Sequence, residues 1–214
     1  MKKLSDIFGG IFGKGEAPLA ITEPFKLIAD RTSAEICGNF ELQEEAKAHL
    51  SGEPMSHDFV NRLVRAKMYA DATRFLAYGL PKRQAVWWAY LCVRNAPTCF
   101  DDEITTEALQ AVEAWVREPS EENRQAALTA GSKHNFEMPG APAAWAAMAT
   151  SWSGGVAAMD DENVPASPEH LTAHAASGAI ILAATAEPEQ AKEMYRKFLE
   201  TGVQIAQGKM QISA

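Results

Sequence analysis

The chain has 214 residues, 47% of them hydrophobic and 22% charged, enough to build a sizeable core in one large domain. Its net charge of −8 speaks against nonspecific nucleic-acid binding, which wants a basic surface. Three cysteines, Cys37, Cys92 and Cys99, are too few and too odd in number for a secreted disulfide framework, and they point to a reducing cytoplasm.

The first residues, Met1-Lys2-Lys3-Leu4, resemble the start of a signal peptide. Ser5-Asp6 and the glycines at 9, 10, 13 and 15 then break the apolar run. Residues 1–19 are therefore expected to be a flexible leader. Ile7, Phe8, Ile11 and Phe12 can share one helical face, which leaves a docking peptide or a membrane-surface anchor as the alternative.

From residue 20 to 210 almost every segment has a helical period, and the expected fold is all-α. It is a single irregular bundle of about seven or eight antiparallel helices joined by short Gly/Pro turns. One helix is expected over 33–50, ended by Gly52 and Pro54, and another over 56–78, with Gly79 as its cap. Pro81 opens the third, which runs to about Asn95. Its centre, Ala85-Val86-Trp87-Trp88-Ala89-Tyr90-Leu91-Cys92-Val93, is nine apolar residues in a row. A helix apolar all round is buried in protein or membrane, and nine residues are too few for a bilayer, which needs about 20. This helix is expected at the centre of the core, with no transmembrane segment anywhere.

Asp101 or Asp102 caps the next helix, with a stripe of Ile104, Ala108, Ala111, Val112 and Trp115. Further helices start at Pro119, Pro142, Leu171 and Pro188. The helix from Leu171 is rich in small residues, which let a neighbour approach closely. Between it and Gly154 lies the longest non-helical stretch.

Candidate sites are few. His170 and His174 stand four apart and can face the same way, but no third ligand has a diagnostic spacing. No metal or other cofactor is expected. Asp160-Asp161-Glu162 lacks EF-hand spacing and reads as an acidic loop. Ser151-Trp152-Ser153-Gly154-Gly155 lacks the Gly-x-Ser-x-Gly elbow and a preceding strand, so it does not read as a nucleophile. The chain is not expected to be an enzyme.

The sharper anomaly is Lys82-Arg83. Cations in a helix's first turn oppose its dipole, so something should offset them. Segment 101–122 carries eight acids and one base, and an antiparallel neighbour could place some of the acids beside this pair. An acidic partner or an anionic ligand is the alternative. Trp87 and Trp88 point about 100° apart, so one of them can reach a groove or surface. The expected partner-binding residues are Lys82, Arg83, Trp87, Asp160, Asp161 and Glu162.

Several segments together resemble an uncharacterised bacterial family of similar length, some of whose members carry a twin-arginine signal-protein label. They are Leu80-Pro81-Lys82-Arg83-Gln84-Ala85-Val86-Trp87-Trp88, Ala114-Trp115-Val116, Pro142-Ala143-Ala144-Trp145-Ala146-Ala147-Met148, Trp152-Ser153-Gly154-Gly155 and Leu171-Thr172-Ala173. No twin-arginine motif stands near this N-terminus. The resemblance implies an association with type VI secretion gene clusters, and hence a cytoplasmic adaptor or chaperone for a secretion component or effector. An immunity protein for a co-encoded toxin, or an enzyme with a dispersed site, are the alternatives. The acidic loop departs from the Pro-rich loop of that family, which puts partner choice in question.

Overall fold

The structure, a computed structural model, describes residues 19, 21–97, 102–134, 142–154 and 170–212. It is an all-α bundle, with ten α-helices and no strand among the described residues. The helices are α1 (Ser33–Cys37), α2 (Glu44–Lys47), α3 (Ser56–Arg65), α4 (Tyr69–Gly79), α5 (Lys82–Arg94), α6 (Glu103–Arg117), α7 (Glu121–Gly131), α8 (Pro142–Ser151), α9 (Leu171–Thr185) and α10 (Ala191–Ala206). Most of the proposed leader lies outside the described residues.

The caps follow local chemistry. Thr32 and Glu35 form a reciprocal capping box on α1. Asp102 accepts the Thr105 amide at 2.8 Å and starts α6, and Ser120 accepts the Asn123 amide at 3.2 Å and starts α7.

Two expected helices each break in two, which raises the count above seven or eight. The 33–50 helix stops after α1, because the Asn39 side chain donates to the carbonyls of Glu35 at 2.8 Å and Ile36 at 3.4 Å. Phe40 then lies against Tyr78, with ring centroids 4.9 Å apart. The 56–78 helix breaks at Ala66-Lys67-Met68. Met68 N–H donates to Leu63 O at 2.9 Å and Lys67 N–H to Val64 O at 3.0 Å, with Lys67 at φ 62°. This is a Schellman stop whose left-handed residue is a lysine in place of the usual glycine. Trp152 sits just past the end of α8 and is half-buried.

The central helix is α5, which touches α4, α6, α8, α9 and α10. Trp88 is fully buried on it, and its indole N–H donates to the Phe198 carbonyl of α10 at 2.8 Å. Leu91 is 4% exposed. A Cβ added to Gly202 would lie 2.5 Å from the Trp88 ring, so α10 can approach only because residue 202 has no side chain. The same close approach recurs where Gly131 meets Ala147, at 2.8 Å from a hypothetical Cβ. Helices α8 and α9 pack against each other, and both bury alanines, Ala146 and Ala149 on one and Ala176 and Ala179 on the other. Cys37 and Cys92 are buried thiols, and burial, helped by Asp71, pushes Cys37 up to about 12. Burial alone raises Cys92, so neither is a reactive thiolate.

Candidate functional site

The two cations at the start of α5 part company. Arg83 turns toward the end of α6, where its Nε donates to Val116 O and its Nη2 to Arg117 O, both at 2.8 Å. The last carbonyls of a helix have no partners within it and carry the negative end of its dipole. A guanidinium on a neighbouring helix answers both needs. The offset expected from the 101–122 segment is therefore there for Arg83, but through backbone carbonyls.

Four acids of that segment, Asp102, Glu107, Glu113 and Glu121, are engaged elsewhere. Glu113 accepts from Tyr90 at 2.7 Å and from Arg117 at 2.8 Å, with Arg94 at 3.4 Å. Burial pushes its carboxyl up, but the Tyr90 and Arg117 hydrogen bonds and the two guanidinium charges outweigh that and hold it below its ordinary value. Glu107 pairs with Lys133 at 2.5 Å. Glu121 binds Arg124, whose Nη1 donates to Ser151 O at the end of α8 at 2.5 Å. Arg124, 6% exposed, thus repeats at α8 what Arg83 does at α6. Arg124 carried no periodic or motif signal that could single it out.

Lys82 has no ion pair among the described residues. It lines a polar cleft of about 660 Å³ with Asp30, Arg31, Asn39, Tyr78, Leu80 and His170. Arg31 Nη1 donates to Tyr78 O at 2.8 Å, which holds the guanidinium in place. A second cleft of about 810 Å³ opens between the 39–44 stretch and α9, lined by Phe40, Leu42, Trp145, His174, Gly178 and Ile181 among others. Asn39, Tyr78 and His170 line both clefts, so the two adjoin across these residues as one grooved face. Its floor is aromatic: Tyr78 against Phe40, and Trp145 edge-on to His174 at 6.2 Å between centroids. A third, more apolar pocket of about 460 Å³ lies between Phe25, Ile28, Leu50 and Met55. Met55 is 62% exposed at its mouth.

The residues predicted to bind a partner are thus only partly assembled. Lys82 is on the groove. Arg83 holds the α5–α6 joint. Trp87 is half-buried against the core and lines neither cleft. Asp160, Asp161 and Glu162 lie outside the described residues. His170 and His174 share the groove wall, and no group of three or more potential metal ligands is found among the described residues. Arg31, Asn39, Phe40 and Tyr78 were not singled out from sequence: reading 33–50 as one helix hides the bend that brings Asn39 and Phe40 to Tyr78, and Arg31 reaches Tyr78 O from 47 residues away.

No helix among the described residues is long and apolar enough to cross a membrane. No curated protein and no solved structure matches the chain. A family model does match, over residues 59–206, which take in α5, its partner helices and the Trp145 wall of the groove. With more than half of its 214 residues matched, the chain belongs to DUF6931, a family of unknown function.

Proposed function

We propose that the protein is a helical accessory protein that docks another protein, as an adaptor or chaperone for a component or effector of a bacterial type VI secretion system. The secretion system comes from the resemblance of the tryptophan-bearing segments. Docking is supported by one observation above the rest, the grooved face past Lys82, Asn39, Tyr78 and Trp145. Aromatic anchors ringed by polar groups are the usual make-up of a binding hot spot. The groove forms where α1 and the 39–44 stretch border α4 and α9, so its shape depends on a segment N-terminal to the family-matched residues.

The test is capture of partners from the native bacterium by the full chain, with mass spectrometry, beside capture by Ile181→Asp. The reading expects a secretion spike or effector protein, lost with the groove variant. Equal capture by both chains would overturn it. Rescue of growth on co-expression with a neighbouring toxin would replace it with the immunity reading.

A further inference from the structure

We infer that the Lys82 half of the groove recognises a carboxylate on the docked partner, so that the partner presents an acidic segment there. This rests on the docking reading above and names the chemistry of what docks.

Four observations carry it. Lys82 occupies the first turn of α5, where a cation works against the helix dipole, and no acid stands in that turn to relieve it. Its neighbour Arg83 is explained by the α6 carbonyls, whereas Lys82 has no ion pair among the described residues. Lys82 therefore opposes the dipole of its own helix with no ion pair among the described residues to offset it. Second, Arg31 lines the same cleft; its Nη1 donates to Tyr78 O, which positions the guanidinium, and its charge reaches the exposed Glu35 carboxylate without a hydrogen bond to it among the described residues. A guanidinium so placed suits a two-oxygen acceptor. Third, Asp30 is the one acid among the described residues that line this cleft, against Lys82 and Arg31, in a chain whose net charge is −8. The cleft is a locally cationic spot on an acidic protein, and charge complementarity selects an acidic partner segment. Fourth, the adjoining Phe40–Tyr78–Trp145 floor gives the same segment an apolar anchor.

The experiment uses the full chain with a photo-crosslinking amino acid at Leu27, which lines the Lys82 cleft, or at Ile181, which lines the other cleft. Expected are crosslinks from both positions to one partner segment, with Asp, Glu or a chain-terminal carboxylate in the part reached from Leu27. In the purified complex, Lys82→Glu should weaken affinity about tenfold, the loss of one charge-assisted contact. The same variant should melt no lower than the parent, because a first-turn acid suits the dipole. A residue whose reversal spares the fold but harms binding is held for the partner. Crosslinks from Ile181 with unchanged affinity in Lys82→Glu would overturn this inference and leave the docking reading standing. A Leu27-linked segment without a carboxylate would do the same. No crosslink from either position would bring down both.

Discussion

The two flanks of α5 solve opposite problems with neighbouring residues. On one flank Arg83 closes a joint: it takes two orphan carbonyls of α6, and the Glu113–Tyr90–Arg117 contacts continue the seam. On the other flank Lys82 opens into a cleft and joins no ion pair among the described residues. The pair looks like one feature in the sequence. A helix separates consecutive side chains by about 100°, so one residue can serve the fold and the next a surface.

If the seam side is the structural one, damage there should cost stability in proportion to burial. The largest effect is expected at its centre. Trp88→Ala should lower unfolding free energy by about 3 to 5 kcal/mol in chemical denaturation, through lost burial and the cavity left behind. A loss under about 1 kcal/mol would show that α5 is not the centre of the core. Gly202→Ala attacks the same contact from α10. The added methyl would sit 2.5 Å from the indole, and the expected cost is about 1 to 3 kcal/mol. Combined with a smaller residue at 88, its penalty should shrink, because the two positions share one space.

Arg83→Ala tests the joint itself. Two charge-assisted bonds, one part-buried to Val116 O and one exposed to Arg117 O, are lost, and about 1.5 kcal/mol is expected, read as a lower melting temperature. Partner affinity should not change, in contrast to Lys82→Glu. Equal effects of Arg83→Ala and Lys82→Glu on both readouts would erase the distinction between the flanks.

Acid should loosen the seam before the cleft. The Glu113 carboxyl is held below its ordinary value of 4.5 in the folded chain. Its contribution is therefore complete above that value and disappears as pH falls through the lower, folded-state pKa. Glu121, held down first by the Arg124 hydrogen bond, acts in the same direction. Melting temperature should fall below pH 4.5 with a slope that flattens in Glu113→Gln, and an unchanged slope would remove Glu113 from the account. The smallest effect is on the cleft flank. Lys82→Glu should raise stability by about 0.3 to 1 kcal/mol, by matching the helix dipole. A measurable loss there would mean that Lys82 has a partner within the fold.

Where helix ends carry their own chemistry, the sequence was readable. Pro81 and Asn95 bracket α5, Asp102 caps α6, and α7 begins two residues after the expected Pro119, with Ser120 as its cap. The two missed breaks lack such marks. Lys67 takes a left-handed conformation that sequence rules reserve for glycine or asparagine, and Asn39 stops α1 with a side chain that equally suits a helix surface. The groove was hidden for the same reason, because its Phe40 and Asn39 edge exists only once the 33–50 segment bends.

What the sequence determined by itself is the all-α class and a central apolar helix around Trp88, because helical period and burial are written in the spacing of apolar residues. It also flagged Lys82-Arg83, because a first-turn cation breaks a local rule. Tertiary structure alone decided that Arg83 belongs to the fold and Lys82 to a cleft. That choice depends on which neighbouring helix offers unpaired carbonyls within reach of one side chain, and partners 33 residues or more apart in the chain leave no local pattern.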